Sequence, residues 1–97
     1  MSKLVLIVYD SGLDFQILHV LKNLHITAYT KITNVKGAGN SGLKFGDAVG
    51  PGENNLVFTI IEEKTLIRLK NQIKVYKKNL LEKQGLKLFI LPIEEII

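Results

Sequence analysis

Apolar residues recur along this chain in two rhythms. Four short runs are nearly continuous and rich in Val, Ile, Thr and aromatic residues: residues 3–9 (KLVLIVY), 27–35 (TAYTKITNV), 56–61 (LVFTII) and 86–91 (LKLFIL). Runs of that length and composition predict strands. Between the first two, Leu13, Ile17, Leu21 and Leu24 fall at helical spacing; between the last two, Leu66, Leu69, Ile73, Tyr76 and Leu80 do the same. Each set predicts an amphipathic helix with one buried stripe. The punctuation agrees. Asp10-Ser11-Gly12 breaks the first run, and Ser11 with Asp14 three residues on predicts a capping box. His25 ends the first helix region. Glu62-Glu63 puts negative charge at the start of the second helix, which is expected to run to about residue 84 with Gly85 as its C-terminal cap.

The order β-α-β-β-α-β predicts an α+β, ferredoxin-like domain over residues 1–97: a four-stranded antiparallel sheet with both helices on one face. Between the second and third strands lies a long segment, residues 36–55 (KGAGNSGLKFGDAVGPGENN), with six of the eight glycines and one of the two prolines. It is expected to be a flexible loop, unable to hold a helix or a central strand. A loop that long in a small domain points to function, and Pro51-Gly52 suits a type II turn leading back to the sheet.

The strands do not alternate. Leu4-Val5-Leu6-Ile7-Val8 is apolar on both faces, and residues 56–61 and 88–91 are nearly so. A sheet with one solvated face should alternate. The pattern therefore predicts that the second face is buried against other copies in a symmetric assembly, with a trimer letting three sheets meet.

Composition narrows the chemistry. With no cysteine among 97 residues, disulfides, thiolate metal sites and cysteine nucleophiles are excluded. The net charge of +4 comes almost wholly from lysine, Arg68 being the one arginine, which predicts a solvated basic surface and no nucleic-acid partner. An RNA-recognition sheet would need stacking aromatics, and residues 56–61 offer only Phe58. Acylphosphatases share the topology but need an arginine after the first strand, where Asp10-Ser11-Gly12 has none. No nucleophile, base and orienter assemble, so the chain is not expected to be an enzyme. Residues 37–42 read G-x-G-x-x-G without the following helix a dinucleotide site requires; a backbone nest for an anion fits better, with Lys36 and Lys44 to attract it. In the same loop region Asp47 and Glu53 are candidate cation ligands. His19 and His25 lack metal-ligand spacing, and the adjacent Glu94 and Glu95 point apart, so no metal site is expected. The apolar run 4–8 is too short for a signal-peptide core or a membrane span, which predicts a cytoplasmic protein.

Two local motifs carry a family resemblance. Val35-Lys36-Gly37-Ala38-Gly39, leading into the long loop, resembles the start of the T-loop of PII signalling proteins. KLFILPIEE at residues 87–95 resembles their last strand and its Pro-Val-Glu-Glu ending. The element order is shared over the whole chain, and the likeness is nearest to the shorter, divergent PII-like proteins. The resemblance implies a homotrimer with ligand sites between subunits, where the T-loop base, the loop before the last strand and the C-terminal segment meet. It implies ATP, ADP or AMP as ligand, with 2-oxoglutarate and magnesium in some members of this nitrogen-regulatory family. Its targets are transporters, enzymes or transcription regulators. By this likeness Gly37 and Gly39 match the T-loop base, Lys87 matches a phosphate-contacting lysine, and Thr30 matches a threonine near the adenine on an alignment shifted by one residue. The chain departs from the pattern at Gln84-Gly85-Leu86, a shortened form of the glycine-rich loop before that lysine. It departs again at Ser41, which stands near the place of a glutamine that helps hold magnesium and 2-oxoglutarate. The expectation is a regulator that binds an adenine nucleotide or another small anion through Thr30, Lys36, Gly37, Gly39, Ser41, Gly85 and Lys87, and acts on a partner such as a membrane transporter through its loop. A ligand-independent adaptor and a CutA-like metal-binding trimer are the alternatives, the latter weakened by the shortage of His and the lack of Cys.

Overall fold

The computed structural model describes residues 1–39, 42–44, 53–80 and 84–97, with the backbone alone for 38–39 and 42–44. Strand β1 (Lys3–Asp10) leads through a 3-10 turn (Ser11–Leu13) into helix α1 (Asp14–Asn23). Strand β2 (Thr30–Val35) and the short β3 (Gly37–Gly39), β4 (Gly42–Lys44) follow, then β5 (Asn54–Ile61), helix α2 (Glu63–Lys78) and β6 (Leu86–Pro92). The main sheet is antiparallel with order β2-β5-β1-β6. This is the expected α+β arrangement, with four strands backed by two helices.

Strand alternation decides what each face buries. Val5, Ile7 and Tyr9 of β1 and Val57 of β5 are wholly inaccessible, packed with Ile17, Val20 and Leu21 of α1 and Leu66, Leu69 and Ile73 of α2. Both helical stripes read from the sequence are thus the core stripes. On the other face Leu4, Leu6 and Val8 stand opposite Ile60, Phe58 and Leu56 on one side and Leu91, Phe89 and Lys87 on the other. Ile60 and Phe89 are each 47% exposed and Leu91 38%. Among the described residues, no helix covers this apolar face.

Four local expectations are corrected. Ser11 and Asp14 form no capping box: Asp10 caps the 3-10 turn, its Oδ1 accepting from the Gly12 N–H at 2.9 Å. The Asp14 carboxylate has stronger, charged partners inside the fold. Helix α2 stops at Lys78, short of residue 84. Asn79 closes it, its backbone N–H donating to the Tyr76 carbonyl and its side-chain amide to that of Val75; asparagine competes with the helical ladder in this way. Gly85 is therefore not a helix cap. Strand β2 begins at Thr30 rather than 27, because the Ala28 carbonyl accepts from the Thr59 hydroxyl at 2.6 Å. Last, part of the glycine-rich segment is ordered as a ribbon: β3 pairs with β4, Gly37 opposite Lys44 and Gly39 opposite Gly42, in a sheet separate from the main one. Extended backbone at 37–39 and 42–44 sends successive N–H groups to opposite edges, and the middle of the expected anion nest, residues 40–41, lies outside the described residues. Residues 40–41 and 45–52, and with them Ser41, Asp47 and the Pro51-Gly52 turn, lie outside the described residues.

Helix α1 ends as expected near His25, which takes the left-handed conformation (φ 58°). Its N–H donates to the Lys22 carbonyl and that of Ile26 to the Leu21 carbonyl, at 3.0 and 2.9 Å. These are the two bonds of a Schellman motif, and Leu21 and Ile26 are both buried in the core cluster.

Candidate functional site

One end of the sheet gathers the segments that the sequence singles out. Val35 of β2 stands opposite Asn54 of β5, and Asn54 opposite Asp10 of β1. The Asp10 N–H donates to the Gly85 carbonyl at 2.9 Å, and the Ser11 N–H to that of Glu53 at 2.8 Å. The end of β1 therefore holds the return of the long loop (Glu53) and the entry to β6 (Gly85), while Lys36 and Gly37 leave the sheet at the same level.

A bulge aims the loop base. Ile32 pairs with Leu56 and Val35 with Asn54, so Thr33 and Asn34 together oppose Asn55 alone, and Asn34 sits at φ 60°. An extra residue reverses the side-chain alternation beyond it. Val35 is thereby brought to the uncovered face with Ile32 and Thr30.

Beneath the bulge, on the helix side, Asp14 at the first turn of α1 ties the elements together. Its Oδ1 accepts from the Tyr9 hydroxyl at 2.6 Å and the Asn55 amide at 3.1 Å, and its Oδ2 from the Lys31 ammonium at 2.7 Å. Burial opposes the charge on Asp14, but the hydrogen bonds from Lys31, Tyr9 and Asn55 and the charge of Lys31 outweigh it and hold its carboxyl below the ordinary aspartate value. Burial, then the hydrogen bond to Asp14 and its charge, push the Tyr9 phenol well above its usual value. The proton stays on Tyr9 and the charge on Asp14, an arrangement suited to bracing the bulge rather than moving protons. The sequence reading passed over Tyr9, Lys31 and Asn55. The available signal was alternation: each continues the inward-facing set of its strand at a place where a core residue would be apolar.

The sequence-derived ligand residues divide. Thr30 stands opposite Phe58, and Lys87 opposite Val8, on the same uncovered face. They occupy the two edge strands, three strand spacings or roughly 14 Å apart, so an anion the size of bicarbonate cannot bridge them within one chain. Lys36 and Gly37 are exposed at the loop end, and Gly39 lies in the ribbon. Gly85 is half-buried beside Lys87. A Cβ built on Gly37 or Gly85 meets no atom of the described residues within 4 Å, so packing among these does not demand glycine at either position. Among the described residues no three His, Asp or Glu side chains cluster as a metal site, and no helix is long and apolar enough to cross a membrane.

No protein-family model matches the sequence, and no curated protein matches it. Solved structures do. CPII, a nitrogen regulatory PII-like protein from Thiomonas intermedia K12 bound to ADP, AMP and bicarbonate, superposes with a TM-score of 0.72 at 12% identity, over 94% of this chain and 91% of that one. A candidate PII-like signalling protein from Thermus thermophilus gives 0.65 at 20% identity, over 92% and 83%. A protein of unknown function from Pediococcus pentosaceus ATCC 25745 gives 0.66 at 16% identity, over 99% and 95%. These superpositions span nearly the whole chain, and its fold is that of the PII-like proteins.

Proposed function

We propose that this chain is a divergent PII-like regulator of the cytoplasm, without catalytic activity of its own. It works as a homotrimer whose subunits bury the apolar sheet face. A small anionic metabolite, an adenine nucleotide or an anion such as bicarbonate, binds between subunits, and the segment 36–55 acts on a protein partner such as a membrane transporter. The observation that carries this reading is the apolar sheet face left uncovered, with Thr30 and Lys87 on its opposite edges, so that a second copy packed on it would set its own edge residues beside them. The glycines support it: Gly37 and Gly85 leave room that no described residue fills, and Lys36 and Lys87 supply positive charge beside that room. The ligands named for CPII are of the same chemical kind.

The test is calorimetry of the intact protein with ADP, AMP and bicarbonate. Binding of at least one is expected. Lys87→Ala should weaken it about ten- to a hundredfold, the scale of a lost charge-assisted hydrogen bond. Gly85→Ala should weaken it while leaving unfolding stability unchanged or slightly raised. No heat with any of the three, or full affinity in Lys87→Ala, overturns the proposal.

A further inference from the structure

The face opposite the open sheet, formed by the outer sides of α1 and α2, has an uneven charge. Helix α2 holds six of the 13 basic residues and one acid, Glu63. That gives it a charge of +5 against +4 for the whole chain, so everything outside α2 is close to neutral. The outward positions hold Lys64, Arg68, Lys74 and Lys78, all exposed. Between them, at i, i+4 and i+8, run Ile67, Asn71 and Val75, with Ile67 57% and Val75 59% exposed. On α1, Phe15 projects with 82% exposure, and its ring lies parallel to the His19 imidazole (interplanar angle 4°). A solvated helix face needs no large apolar residues at its centre, and a core-facing one would not ring them with lysine.

We propose that this helical face docks on a membrane surface rich in anionic lipid headgroups. The charge fits: a row of ammonium groups is drawn to a diffuse negative surface at about 1 kcal/mol per residue. Lysine, a point charge, suits that field better than it suits the bidentate reading of one phosphate or base. The apolar residues decide between polyanions. Ile67, Val75 and Phe15 gain from the acyl boundary beneath the headgroups, whereas a nucleic-acid backbone offers aliphatic side chains nothing. Because the face lies on the far side of the sheet from the open apolar surface, docking leaves that surface and the loop end free.

The test is flotation of the full chain with phosphatidylcholine vesicles, with and without phosphatidylserine, across a salt series, with homopolymeric RNA as the competing polyanion. The protein should float with phosphatidylserine vesicles, less so as salt rises, and stay behind with neutral ones. Lys74→Gln with Lys78→Gln should reduce partition on the order of tenfold or more, roughly fivefold per charge. Ile67→Gln with Val75→Gln, which keeps every charge, should also reduce it. All four positions are exposed, so circular dichroism and thermal unfolding should match the parent. Equal flotation with neutral vesicles overturns the proposal, as does none with phosphatidylserine at low salt. Full partition of the Ile67/Val75 variant, or RNA binding without vesicle binding, makes the face a site for polyanions in general and overturns it as well.

Discussion

Asp14 is the residue on which the bulged end of β2 depends. It accepts from three side chains on three strands, so replacing it by alanine strands the wholly buried Tyr9 hydroxyl and the Lys31 ammonium. Unsatisfied groups of that kind cost about 1–3 kcal/mol, and urea unfolding of Asp14→Ala should show a loss of that size. The titration has a sign. The folded carboxyl lies below its ordinary value, so its contribution is fully present above about pH 4 and is lost as pH falls through the folded value, where the unfolded chain binds the proton and the folded one does not. Tyr9 works from the other side. Its phenol is raised when folded, so above about pH 10 the unfolded chain ionises first and stability declines as pH rises. Asp14→Asn should flatten the acid limb of a stability–pH profile, and Tyr9→Phe the alkaline limb. An unchanged profile in both would remove the hub from the account of stability.

At the scale of elements, what the sequence made legible followed the hydrophobic pattern. Both helical stripes could be read because burial imposes a 3.6-residue repeat, and all four main strands because they are short, largely apolar, β-branched or aromatic runs bounded by turn residues. The ends could not, because they depend on single hydrogen bonds: Asn79 stopping α2, the Thr59 hydroxyl taking the Ala28 carbonyl, Asp14 turning inward instead of capping. The β2 bulge was hidden for a related reason: Asn34 is the one residue of TAYTKITNV with a left-handed preference, and it does sit at φ 60°, but that preference alone does not place a bulge in a strand. The site was legible only as separate residues. Gly37 and Lys87 could be named from their motifs, but their placement at one end of the sheet follows from register. The C-terminus of α1 offers a direct check. His25 occupies the left-handed position that glycine usually takes, at a steric cost of about 1–2 kcal/mol, while glycine loses about 0.5–1 kcal/mol more backbone entropy on folding. The balance favours His25→Gly by about 0.5–1 kcal/mol, as a higher urea midpoint with unchanged slope. His25→Val, β-branched at positive φ, should destabilise. If glycine lowers the midpoint, the imidazole makes a contribution that exceeds its strain.

For the whole molecule, the surface that decides between a monomer and the proposed trimer is the uncovered sheet face. Phe89 tests this well. It is 47% exposed on edge strand β6, opposite Leu6 and one row from Lys87. In a monomer Phe89→Lys is a surface substitution worth no more than about 0.5 kcal/mol, because lysine lays its stem on the sheet and keeps its charge in water. Between subunits the same ammonium would be buried unpaired, once per copy, at several kcal/mol each. The parent should therefore sediment as a trimer with a melting temperature that rises with protein concentration, and the variant as a folded monomer whose melting temperature does not. The ligand measurement follows from the same geometry. Thr30 and Lys87 are unchanged in the variant, but a site shared between subunits is lost with the interface, so a folded monomer should lose most of the parent's affinity. Full affinity in a monomeric Phe89→Lys protein would place the whole site within one subunit, and the face would then need another explanation for its apolar surface.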